Sequence, residues 1–202
     1  MSDGDAAVRN FQINRRLLNG KHKLSEVFSG LEYSPAIREL FSEDLNLEIL
    51  RCLDVEITDD ATYMRVRDLD GRLLINPHYL RKGRKEFIYL DLVHELTHIK
   101  QYWVGRELYD PRCRYIDRPT ELEAFTRAVT EAKRIRLSEL EIYEYLGVDW
   151  ISNSEHKELA ERLGITPPAR AGKHRRVHDR LQPHSDLLNN NRSSRKLNQM
   201  HE

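Results

Sequence analysis

Apolar positions follow three different patterns along the chain. Residues 1–30 are mostly polar, with Phe11, Ile13, Leu17, Leu18, Leu24, Val27 and Phe28 scattered among them. This pattern predicts a loosely attached polar N-terminal arm, with short helices at most. Pro35, followed by Ala36, Ile37, Leu40 and Phe41, predicts a short helix opened by proline. Over residues 48–80 the period shortens. Leu50, Cys52, Leu53, Val55 and Ile57 run into the turn signal Asp59-Asp60. Tyr63, Arg65 and Arg67 then alternate with Met64 and Val66. Asp68-Leu69-Asp70-Gly71 is a second turn signal, and Leu73-Leu74-Ile75 stops at Asn76-Pro77. Two or three short antiparallel strands joined by tight turns are expected here.

Residues 84–104 carry a helical period. At about 100° per residue, Ile88, Leu92, Leu96, Ile99 and Trp103 fall on one side, and Gly105 closes the helix. A loop rich in Tyr, Asp, Pro and Arg leads to a second long helix near 119–136, with Pro119 in its first turn. Ser138 and Glu141 form a capping-box pattern for a third helix ending at Gly147, and 154–163 predict a fourth, ended by Gly164. Trp103 and Trp150 are expected in the core. From Pro167 the large apolar residues thin out. Residues 170–202 hold Arg170, Lys173, Arg175, Arg176, Arg180, Arg192, Arg195 and Lys196 against Asp179, Asp186 and Glu202. A basic, disordered tail over 167–202 is expected, with at most one helix near 173–182. The expected organisation is an arm over 1–30, a folded α+β domain over 31–166, and this tail.

Composition narrows the classes further. The 202 residues include 33 basic and 33 acidic side chains, 39% apolar and 33% charged, so one core with a solvated periphery is expected. No run approaches about 18 apolar residues, so no membrane span is expected. The opening MSDGDAAVRNFQINRR lacks the apolar stretch of a secretory signal. Cys52 and Cys113 alone cannot build a disulfide framework, which makes the cytoplasm the expected compartment. Zero net charge argues against nucleic-acid binding by the whole chain, but the basic tail can still touch phosphates.

The candidate chemistry lies in Val93-His94-Glu95-Leu96-Thr97-His98-Ile99, which contains H-E-x-x-H. Residues four apart stack on one helix face, so two imidazoles can grip one metal ion from the same side. Glu95, beside the first, can reach a water on the metal. The motif lies inside the strongest predicted helix, and its two His are nearly opposite the apolar stripe. A strand precedes it, and residues 72–76 could hold an extended peptide by backbone pairing. Asp91, one turn before His94, is expected to be an ordinary surface acid, or else to orient a ligand.

A third ligand is sought in Arg118-Pro119-Thr120-Glu121-Leu122-Glu123-Ala124-Phe125. Glu121 shares a face with Ala124, Phe125, Ala128, Val129, Ala132 and Ile135, whereas Glu123 lies opposite. A carboxylate within an apolar stripe needs a partner, because an unpaired buried charge is costly, and a metal is such a partner. Glu121 is therefore favoured, with Glu123 in reserve. Small Ala124 and Ala128 would let the two helices approach closely.

The pair HELTH…ELEA resembles the zincin metallopeptidases of the gluzincin branch, over roughly residues 48–137. The resemblance implies a small α+β catalytic domain, with a short antiparallel sheet packed on the active-site helix. It also implies one catalytic Zn2+ and hydrolysis of a protein or peptide substrate by a metal-activated water. His94, His98 and Glu121 would be ligands and Glu95 the general base. The longer metzincin pattern fails, since Gln101 and Val104 stand where it needs Gly and His. Tyr109, Tyr115 or a tail His could stabilise an oxyanion. Two alternatives stand beside this reading: a nucleic-acid-associated metalloprotein using the tail, and a non-catalytic zincin-like scaffold. The intact Glu95 argues against the second.

Overall fold

The computed structural model describes residues 3–41 and 50–169. The chain opens with helix α1 (Asp3–Asn10), then strands β1 (Gln12–Ile13) and β2 (Gly20–Lys23). A single turn, α2 (Leu24–Val27), leads into β3 (Phe28–Ser29), and the proline-opened α3 (Pro35–Leu40) follows. Ser34 caps α3 by accepting from the Ile37 N–H. Strands β4 (Asp54–Ile57), β5 (Met64–Val66) and β6 (Leu73–Ile75) come next. The rest is helical: α4 (Pro77–Lys82), α5 (Lys85–Trp103), α6 (Pro119–Arg134), α7 (Glu139–Leu146) and α8 (Asn153–Arg162). The fold is α+β. The expected basic tail, with its histidines, lies outside the described residues from 170 onward.

The main sheet has the order β2-β4-β6-β5. The β5–β6 hairpin is antiparallel, as the alternation predicts, with Met64 opposite Ile75 and Val66 opposite Leu73. Gly71 closes its turn at φ 68°, where a Cβ would meet the Tyr102 ring at 2.7 Å. Two features depart from expectation. β4 pairs with β6 in parallel, Val55 opposite Leu73, so the sheet is mixed. The fourth strand, β2, comes from the segment expected to be an arm and pairs antiparallel with β4. β2 reads Gly-Lys-His-Lys and is mostly exposed. An edge strand contributes backbone hydrogen bonds without an apolar side-chain alternation, so the sequence pattern is silent about it.

The first thirty residues are integral to the core. Phe11, Leu24, Val27 and Phe28 are buried. The Phe11 ring stacks on Phe28 at 5.4 Å and lies 5.2 Å from Tyr89 of α5. Arg15 donates to the carbonyls of Leu80 and Gly83 at the end of α4. The polarity of the segment reflects its outer face only.

α5 is the central element. Every residue from Phe87 to Ile99 is buried, and the helix packs on α6, α3 and β5. Ile88, Leu92, Leu96 and Ile99 are fully inaccessible, as their phase predicts. Trp103 is not: it ends the helix and is 39% exposed, resting edge-on against Phe41. Ala124, Ala128 and Ala132 are fully buried at the contact of α6 with the body. A buried polar chain ties three helices together. The Tyr89 hydroxyl meets Ser34 and donates to Glu131, and Arg134 bridges Glu131 to Glu39. Ser138 with Glu141, and Ser152 with Glu155, form the capping boxes that open α7 and α8. Among the described residues no helix is long and apolar enough to cross a membrane.

Candidate metal centre

The middle of α5 carries two faces. One is the apolar stripe. The other presents His94 and His98, one helical turn apart, to the first turn of α6, where Glu121 stands. The Nε2 atoms of the two imidazoles are 3.0 Å apart. Glu121 Oε2 lies 3.3 Å from His94 Nε2 and 3.4 Å from His98 Nε2. All three residues are buried. A tetrahedral zinc with bonds of about 2.0–2.1 Å separates its ligand atoms by about 3.3 Å, so the three atoms already stand at ligand spacing. Glu121 Oε2 is buried without a hydrogen-bond partner. A buried carboxylate oxygen set between two ring nitrogens needs a positive partner, which a protonated imidazole or a metal ion can supply. The group can hold a metal ion.

The buried groups shift one another's ionisation. Burial opposes ionisation of Glu121, but the two imidazoles hold its carboxyl well below the usual range. Burial pushes the His94 imidazole down. Burial also disfavours the His98 cation, yet Glu121 and Glu95 outweigh it and raise that imidazole to about 9. Glu95 is pushed up to about 8, chiefly by burial. Its Oε2 accepts the Val66 N–H of β5 at 3.0 Å.

One supporting residue escaped the sequence reading. Gln101 Oε1 lies 2.8 Å from His98 Nδ1, while Gln101 Nε2 donates to the Thr120 carbonyl and to Glu123. The two acceptors orient the amide, so Oε1 faces His98. An amide oxygen only accepts, so Nδ1 donates to it, and Nε2 is the nitrogen turned toward Glu121 that would meet a metal. The signal was present in the spacing, since position 101 is three residues past His98 on the same face. Glu123, held in reserve as a ligand, points away from the imidazoles. It pairs with Arg106 and braces Gln101. A Gln101→Ala chain is expected to bind zinc about 10–100-fold more weakly, measured by competition with a chromophoric chelator.

The centre opens into a cavity of about 650 Å³ lined by β5, α5, α6 and the 105–118 loop. Asp91 is buried in its wall and accepts from the Tyr79 hydroxyl, so it is not a surface acid. Trp150 is 50% exposed at the cavity wall, beside Tyr63 and Tyr115, rather than in the core. Tyr109 and Tyr115 both line the cavity. The free sheet edge is also not where the sequence suggested. β6, within 72–76, is paired on both sides, and β5 is the edge strand on the cavity side, with β2 at the other edge. Tyr63 and Arg67 exchange backbone bonds with the β6 side, so by alternation the peptide groups of Met64 and Val66 face outward, toward Glu95. Comparison of the chain with family models, with curated proteins and with solved structures finds no match.

Proposed function

We propose that this chain is a zinc-dependent peptidase. One observation carries the reading. Two imidazole nitrogens and one carboxylate oxygen converge, buried and at ligand spacing, in the wall of a cavity that the Glu95 carboxyl also lines. His94, His98 and Glu121 would hold the ion, and two nitrogens with one oxygen suit Zn2+. Three protein ligands rather than four match a catalytic site, which keeps a position open. A bound zinc supplies Lewis acidity, bringing the pKa of water to about 7 and polarising a carbonyl.

The chain's own residues do the remaining work. Glu95, whose carboxyl lines the cavity beside the three candidate ligands, would accept a proton from water and return it to the leaving amine. Gln101 fixes the tautomer of His98. The outward Met64 peptide groups and the Val66 carbonyl of β5, whose Val66 N–H is taken by Glu95, would pair with an extended substrate backbone and place it along the cavity. The Tyr109 and Tyr115 hydroxyls are donors within the same wall for charge developing on the carbonyl oxygen.

Elemental analysis tests the centre. Wild-type protein is expected to carry one zinc per chain, His94→Ala none, and Glu121→Ala a weakly held fraction. Wild-type protein that takes up no zinc on reconstitution would remove the reading altogether.

A further inference from the structure

Arg118 immediately precedes α6, three residues ahead of Glu121. Its guanidinium lies over the Tyr109 ring, 4.3 Å from the centroid, and 5.7 Å from that of Tyr115. All three side chains line the cavity that holds the metal centre. Stacking on ring faces leaves the in-plane N–H donors of the guanidinium free to bond at its edge. Among the described residues, no carboxylate, carbonyl or hydroxyl accepts from them, and the Nε is buried without a partner. Other arginines of the chain are used differently: Arg67, Arg84, Arg114 and Arg162 each grip a carboxylate.

The acids of the cavity do not take this cation. Asp91 is held by Tyr79, Glu95 by the Val66 N–H, and Glu121 faces the imidazoles. Asp60 and Asp68 are exposed to solvent, where water and salt screen them. What remains is a guanidinium resting over one aromatic ring and near a second, in the same cavity as the centre and, among the described residues, without an anion. Such a fork matches a carboxylate through two parallel N–H···O bonds, and its stacking reduces the ordering cost of forming them.

We propose that Arg118 is the receptor for a carboxylate on the substrate. The inference rests on the peptidase reading and gives that enzyme its substrate class: peptides with an acidic side chain near the scissile bond, or with the free C-terminal carboxylate placed there. Arg65, exposed on β5 and also lining the cavity, adds a second positive charge.

The test is a calorimetric titration of the full chain carrying Glu95→Gln, with zinc added, so that bound peptides are not consumed. Three blocked pentapeptides are compared: alanines with a central glutamate and an amidated end, the same with glutamine, and five alanines with a free C-terminus. One carboxylate peptide is expected to bind at least about tenfold tighter than the glutamine peptide, and which one does so identifies the source of the carboxylate. Arg118→Gln should bring it to the neutral level, and Arg118→Lys should restore part of the preference. Equal binding of all three peptides, no binding of any, or a preference that survives Arg118→Gln overturns the proposal. Turnover by the wild type is read separately. A carboxylate preference without turnover keeps the receptor and removes the peptidase.

Discussion

On the proposed peptidase reading, a Glu95→Gln chain is expected to bind zinc as the wild type does, keep its fold and lose peptide hydrolysis by about 10²–10⁴-fold. The substitution is nearly isosteric. The amide oxygen can still accept the Val66 N–H that Glu95 Oε2 accepts at 3.0 Å, so the tie between α5 and β5 survives. Metal affinity should change little, because the three donor atoms belong to His94, His98 and Glu121. What disappears is the group that takes the proton. An amide has no basicity near neutral pH. The measurement pairs kcat on a peptide with zinc content and thermal melting of the same preparation. Loss of turnover with full zinc assigns the base. Undiminished turnover would dismiss Glu95 from the chemistry, and loss of zinc would make it part of the centre itself.

Deletion of residues 1–30 is expected to abolish folding. The segment supplies β2, which pairs along its whole length with β4, and the stacked Phe11 and Phe28 against Tyr89. Removing it strips a strand from the sheet and opens the core beneath α5. A gentler probe is Phe11→Ala, which leaves a cavity and should cost about 3–5 kcal/mol. That is a large share of the roughly 5–15 kcal/mol that a domain has in hand. Urea unfolding of the point variant, beside circular dichroism of the truncated chain, reads both. A truncated chain that unfolds cooperatively and still binds zinc would show the segment to be dispensable.

The parts of this protein that were legible in advance share one property: their information is local. The period of 84–104 placed His94 and His98 on one face because a helix repeats every 3.6 residues whatever surrounds it. The same arithmetic separated Glu121 from Glu123, and the structure puts Glu121 at the imidazoles and Glu123 against Arg106. The capping box at Ser138 and the turn at Gly71 are likewise written within a few residues.

What only the tertiary structure decided depends on which distant segments meet. The parallel pairing of β4 with β6 and the recruitment of β2 are made by backbone groups, which every residue carries alike. Phe11, scattered in a polar stretch, becomes core because α5 lies behind it. Trp150 and Asp91 change places relative to expectation, the indole half exposed and the carboxylate buried, because a cavity opens at one and a tyrosine covers the other. Gln101 and Arg118 take on their roles only when α6 and the 105–118 loop close over α5. The sequence by itself determined the four helices beyond residue 84 and the residues His94, His98 and Glu121 that could hold a metal ion, through spacing along the chain. The cavity, its open strand edge and the cation within it arise from contacts across the chain, whose closure no local pattern encodes.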